Sequence, residues 1–414
     1  MSVEITPGYK QTELGIVPED WQIQSLPEAL QFISGKAHEQ FINEAGPYVV
    51  VNSKFISTEG GVRKYSSENF CPAKRGDVLM VMSDLPNGRA LAKCYLVKED
   101  KTYAVNQRVC IFRPVKGSSE YFYYLLNRNN YFMQFDDGVQ QTHLLNPMIL
   151  NCQLKVPPEP EQYRIGQALA DIDSLISSLD QLITKKSGIQ QAAMQQLLTG
   201  QRRLPGFSGE WPMMRLGGHM TFLNNGTNSR AELSTEGDIH YLHYGDIHGS
   251  QHLLLNPAIT SMPCLSREKA KRLDRLQNGD LVFADASEDL DSVGKSVEIQ
   301  LPENMQLVSG LHTIAVRFDK KIIADGFKAY LQFIPTFRSH LRQLAAGTKV
   351  YATNRAHIAS AELKIPGTEE QAAIANILAD MGTELAVLEA RRNKARQLKQ
   401  GMMQELLTGR IRLL

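Results

Sequence analysis

The sequence predicts an α+β protein in which two similar mixed α/β globular segments alternate with two long helices. Three observations carry that prediction. The stretch Lys155 to Leu204 recurs from Lys364 onward without a gap, with about 19 of 50 positions identical. Both copies space their apolar residues as one long helix does. Weaker matches precede each copy in the same order, so the duplication extends into the globular segments.

The helices carry the clearest pattern. Ile165, Leu169, Ile172, Ile176, Leu179 and Ile183 in one copy, and Ile374, Leu378, Met381, Leu385 and Leu388 in the other, follow the alternating 4,3 spacing of a coiled-coil seam. A helix from about 162 to 198 is roughly 54 Å long at 1.5 Å per residue. Thr368 and Gln371 have capping-box spacing, Pro160 suits a first helical position, and Gly200 and Gly409 follow the last apolar turns. The seam lapses at Lys185-Lys186 and Arg391-Arg392 and resumes shifted at Ile189 and Leu398, which reads as a stutter or, with Gly188 nearby, a kink. Each stripe is too long for one small domain and each is able to bury the other. Helix pairing is therefore favoured over two amphipathic helices that each pack only on their own domain.

Composition sets the outer bounds. A chain of 414 residues holds two to four domains with proper cores, and its apolar and charged fractions are ordinary for a globular protein. Met1 to Lys10 has no signal-peptide core and no run approaches the apolar length of a membrane span, so the cytoplasm is the expected location. Cys71, Cys94, Cys110, Cys152 and Cys264 are odd in number and dispersed, which suggests neither a disulfide framework nor a zinc site. The net charge of +1 neither announces nor excludes nucleic acid.

Before the helices, Glu19-Asp20-Trp21 matches Gly209-Glu210-Trp211, Val50-Val51 matches Tyr241-Leu242, and Gly76-Asp77-Val78-Leu79 matches Gly279-Asp280-Leu281-Val282. Tyr124-Leu125 then matches Tyr330-Leu331, and Gly138 matches Gly347. Strands are expected at Tyr48–Val51, Asp77–Met82, Val109–Phe112, Asp280–Phe283 and His312–Val316, and helices near Tyr121–Phe132 and Phe327–Leu344. The turn-rich Leu204–Gly209 links the halves. The expected division is a globular segment at 1–154, a helix at 155–204, a second globular segment at 205–363 and a second helix at 364–414.

Catalytic motifs are sought next. Asp289 to Ser296 ends like a Walker loop but has Asp where the first glycine belongs, and a carboxylate there repels phosphate. Asn146-Pro147-Met148 and Asn256-Pro257-Ala258 lack the later residues of an amino-methyltransferase motif. Glu362-Leu363-Lys364 has a nuclease-like spacing, yet its duplicate is Gln153-Leu154-Lys155, so the carboxylate is not part of the repeated plan. His240, His243, His248 and His252 lie close in sequence but are irregularly spaced for a metal site. What remains are polar loops whose Arg, Asn and Gln side chains suit base edges. From these, Arg89, Gln107, Gln140, Asn225, Arg230, Lys349 and Tyr351 are singled out as DNA-facing, although most such residues taken singly are solvated loop positions.

Tyr9-Lys10-Gln11-Thr12-Glu13-Leu14-Gly15 with Pro18 and Trp21, Glu161-Gln162 opening a helix, and Leu197-Leu198-Thr199-Gly200 together resemble the specificity subunit of type I restriction-modification systems. The resemblance spans essentially the whole chain, and the doubled plan is its most specific part. It implies that each globular segment is a target recognition domain reading half of a split site in double-stranded DNA. It further implies that the helices pair as an antiparallel coiled coil, a pseudo-twofold arrangement, and dock two modification subunits. Restriction subunits would complete the complex. Catalysis would then lie in those partners, with S-adenosylmethionine, ATP and Mg bound there and no cofactor or metal in this chain. Two alternatives stay open: a scaffold that does not touch DNA, and a self-contained DNA-modifying enzyme.

Overall fold

The computed structural model describes residues 6–85, 88–100, 102–250, 252–345 and 350–414. The chain forms two compact units, Met1–Gln181 with Glu389–Leu414, and Leu182–Leu388. The long helices run Glu159–Leu197 and Thr368–Leu406, 39 residues each, without interruption at Lys185-Lys186 or Arg391-Arg392. Each helix begins in one unit and ends in the other.

Unit one is built on two sheets. The first orders Cys94–Leu96, Val78–Val81, Val109–Pro114 and Leu30–Ser34, all antiparallel. Its central strands are apolar at every buried position because both faces are covered. Val78, Met80, Cys110 and Phe112 pack toward Tyr121, Phe122, Ile165 and Leu169, whereas Leu79, Val81, Val109 and Ile111 pack toward Val49, Val51 and Val105 of the second sheet. That second sheet pairs Tyr48–Val51 with Tyr103–Val105 in parallel.

Unit two repeats this plan. Its larger sheet orders Met220–Phe222, Thr313–Phe318, Leu281–Ala284, Ser296–Ile299 and Leu254–Leu255. The alternation recurs: Leu281, Phe283, Ile314 and Val316 face the side holding Phe337, Ile374 and Leu378, and Val282, Ala284 and Ala315 face Leu242 and Leu307. A parallel pair, Ile239–Leu242 with Gln306–Ser309, again forms the second layer.

A buried ion pair marks the same place in each unit. Gly76 and Gly279 both sit at φ +87°, where a side chain is disfavoured, and turn the chain into the following acid. Asp77 receives the Arg113 guanidinium through two bonds of 2.8 Å, and Asp280 receives Arg317 through bonds of 2.8 and 2.7 Å. Both acids also accept a backbone N–H three residues upstream, from Lys74 and Gln277, at 2.7 Å. Bidentate pairing of this kind satisfies a carboxylate that burial would otherwise penalise.

The helices expected near 121–132 and 327–344 are each broken. Arg128, at φ 54°, ends Ser119–Leu126, and the Asn129 side chain caps a new turn at Asn130–Met133. In unit two a 3-10 turn at Lys328–Phe333 gives way to Pro335–Leu344, because proline at the first helical position cannot continue the preceding turn.

Candidate nucleic-acid interface

Two constructions recur in both units and position everything else: a clamp at the start of each long helix, and a junction at one end of each large sheet.

The clamp explains the repeated Glu-Gln. Buried Glu161 accepts the Trp21 indole N–H at 3.0 Å and the Arg412 guanidinium through two bonds of 2.7 Å. Its duplicate Glu370 accepts Trp211 at 3.2 Å and Arg203 through bonds of 2.6 and 2.7 Å. Hydrogen bonding to Glu161, and then to Asp20, holds the Arg412 guanidinium firmly in its charged form, above its ordinary range. Gln162 accepts from the Ser118 amide and donates to the Pro157 carbonyl. Gln371, expected to close a capping box with Thr368, instead accepts from Ala324 and donates to Ile322 and Pro366. Its amide ties the helix to the globular segment, which satisfies buried backbone groups that a solvent-facing cap would not reach.

The residues expected along the helix seam divide between two tasks. Ile165 and Leu169 sit in the unit-one core with Trp21, Tyr121 and Leu406, and Ile374 and Leu378 sit in the unit-two core with Trp211, Leu197 and Leu198. Ile172 and Leu179 are buried, Ile176, Leu385 and Leu388 are half-buried, and Met381 packs on the unit-two core. In unit one Asp173 pairs with Lys399 at 2.7 Å, and Asp180 with Arg396 at 3.0 Å. In unit two Lys186 pairs with Glu384 at 2.8 Å. In each unit the numbering falls along one helix as it rises along the other.

At the sheet junction, the residue leaving the central strand bonds to two neighbouring segments. In unit one the Met82 N–H donates to the Arg108 carbonyl at 2.9 Å, and its carbonyl accepts from Leu144 at 2.8 Å. In unit two the Asp285 N–H donates to the His312 carbonyl at 3.1 Å, and its carbonyl accepts from Thr353 at 2.8 Å. Strand registers agree, since Val81 pairs with Val109 and Ala284 with Thr313. The unit-one junction opens onto a cleft of about 540 Å³ lined by Met82, Gln107, Arg108, His143 and Asn146 among others. Gln107 and Arg108 are exposed there, and Asn106 and Gln107 both donate to Glu39, which braces their turn.

The unit-two junction carries different chemistry. His312 holds φ 56°, a left-handed conformation that costs a non-glycine residue about 1–2 kcal/mol, and half its side chain is exposed. Its ring meets Asp285 at 3.2 Å and packs edge-on against Tyr244 at 5.4 Å. Burial raises the Asp285 carboxyl above its ordinary range, with the His312 ring pulling the other way. Because the folded pKa is raised, ionisation weighs against folding above the ordinary carboxylate range and not below it. Asp285→Asn is therefore expected to raise the thermal midpoint at neutral pH, with the gain vanishing below about pH 4. Melting both proteins across that range checks this.

Residues 18–186 match the family model described as the type I restriction modification DNA specificity domain. Over 98% of its length the chain is 22% identical to 97% of a Methanocaldococcus jannaschii protein provisionally named the type I restriction enzyme MjaX specificity subunit. Over 96% it is 20% identical to 94% of the type I restriction enzyme MjaVIII specificity subunit of the same organism. The chain is similar to type I specificity subunits along nearly its whole length. The fold of the type I restriction-modification S subunit from M. genitalium is similar at a TM-score of 0.61, with 12% identity and 98% of both chains covered.

Given this similarity, the placement of the seven DNA-facing candidates matters most. Gln107 lies in the unit-one cleft. Asn225 donates to Gly310 at 3.3 Å and accepts from Arg355 at the same distance, close to the His312 turn. Arg230 is exposed but engaged by Asp246 at 2.6 Å, on the short helix Tyr244–Gly249 that brings Tyr244 to His312. Tyr351 is half-buried in a short strand paired with Ala286–Ser287, beside the same junction. Arg89 and Gln140 are exposed in unit-one loops apart from the cleft lining. Lys349 lies outside the described residues. Sequence reasoning placed Arg108 with Gln107 among the polar loops suited to base edges without selecting it, and passed over Asp285, His312 and Thr353; the available signal was that each falls one residue outside a duplicated strand.

Among the described residues, no three or more His, Cys, Asp or Glu side chains are grouped to hold a metal ion. In the histidine stretch, His248 instead bonds the Ala286 carbonyl, and the His243 ring accepts from the Gly245 amide. Among the same residues no helix is long and apolar enough to cross a membrane.

Proposed function

We propose that this chain is the non-catalytic, DNA-reading subunit of a type I restriction-modification complex in the cytoplasm, and that it reads a bipartite double-stranded target. The recognition domains are 1–154 and 205–363, and the helices 155–204 and 364–414 pair as an antiparallel coiled coil that joins them with pseudo-twofold symmetry. Two modification subunits dock on the duplicated helical surfaces, and restriction subunits join the assembly. S-adenosylmethionine, ATP and Mg belong to those partners. Arg89, Gln107, Gln140, Asn225, Arg230, Lys349 and Tyr351 face DNA.

One observation carries this reading: clamp, ion pair and junction are built twice on the same backbone plan, while the side chains at the two junctions differ. Duplicated frames supply two similar docking places, and unlike junctions supply two different readings. Purifying the complex and mapping the adenines it methylates tests it. Two modification subunits per chain and a split target are expected. A single modification subunit, an unbroken target, or methylation by this chain alone would each refute it.

A further inference from the structure

The two sheet junctions share one hydrogen-bonded frame. The backbone there is equivalent residue by residue: Met82 with Asp285, Arg108 with His312, and Leu144 with Thr353, through the same two hydrogen bonds. The frame is kept while all three side chains change. Each version also leaves hydrogen-bonding capacity unused. In unit one the exposed Arg108 side chain makes no hydrogen bond or ion pair with the described residues, and it stands on the wall of a cleft with apolar Met82 and Leu144. A fork of donors beside an apolar wall suits a planar acceptor edge, such as O6 and N7 of guanine. In unit two the Asp285 carboxylate, 31% exposed, accepts from a histidine held in a left-handed turn. An exposed acceptor in that position suits an exocyclic amino group.

Resting on the reading of both units as DNA readers, we infer that these junctions are the specificity-determining sites. Arg108 selects a guanine in one half-site, and Asp285 selects a base bearing an amino group, cytosine or adenine, in the other.

The test uses the complete complex with its modification subunits, on a library of duplexes randomised around the mapped target. The wild-type complex is measured first, and a complex with no sequence preference would remove the DNA-reading proposal together with this one. With wild-type preference established, Arg108→Ala should relax a single guanine-bearing position in one half-site by roughly 10- to 100-fold and leave the other half-site intact. Arg108→Lys keeps the charge but not the fork, so it should not restore that position. Asp285→Ala should relax one position in the opposite half-site. Equal weakening on all sequences, with a salt slope reduced by about one, would make Arg108 a phosphate contact and overturn the inference. So would an unchanged preference in folded Arg108→Ala and Asp285→Ala variants that still assemble with the modification subunits.

Discussion

Arg412→Ala should destabilise unit one by about 3 kcal/mol, near the low end of the cost of stranding a buried charge because water reaches one edge of the guanidinium. Glu161 is 2% exposed, and after the substitution only the Trp21 indole and the Leu413 amide, at 3.4 Å, still donate to it. The loss is local. Arg412 follows the end of the second long helix, yet its partners, Glu161 and Asp20, all belong to unit one. The chain has two tryptophans, Trp21 in unit one and Trp211 in unit two, so each unit carries its own fluorescence reporter. With Trp211→Phe as background, the Trp21 transition should shift to lower denaturant on Arg412→Ala. With Trp21→Phe as background, the Trp211 transition should hold. Combining Arg412→Ala with Glu161→Leu should cost less than the sum of the two, because the leucine removes the charge that Arg412 neutralises. An unmoved Trp21 transition would show that the clamp does not hold the helix end to its unit.

The parts of this molecule that were legible in the sequence are those whose physics is local or repeated. Apolar runs such as Tyr48–Val51 and Val78–Val81 announced strands, and the spacing from Ile165 onward announced a long helix. The helix breaks were partly legible, since Pro335 is visible, but the left-handed Arg128 depends on its tertiary setting, where its amide donates to the Ala92 carbonyl at 2.8 Å. The clamp was visible only as repetition. Glu161 matched Glu370, but Trp21 and Arg412 lie 140 and 251 positions from Glu161, and no local pattern links them. The junctions left the weakest trace. Arg108 and His312 share a place in the hydrogen-bond ladder and not a residue type, so comparing the two halves by identity passes over them.

The largest functional effect should come from exchanging the first globular segment for that of another specificity subunit. The exchange must carry both Gln22–Ser25 and Gln153–Val156, because these strands pair with each other, and cutting between them would unpair both. It must leave Trp21, Glu161 and Arg412 in place, so that the clamp survives. The incoming segment brings its own residues to the positions of Met82, Arg108 and Leu144, while Asp285, His312 and Thr353 are untouched. One wrong base pair costs about 1–3 kcal/mol, and a half-site wrong at several positions should be excluded by more than a thousandfold. The deciding measurement is the methylated sequence of the exchanged complex, mapped beside that of the wild type. This account predicts that one half of the target changes to that of the donor while the other half stays as it was. A change in both halves, or in neither, would contradict it.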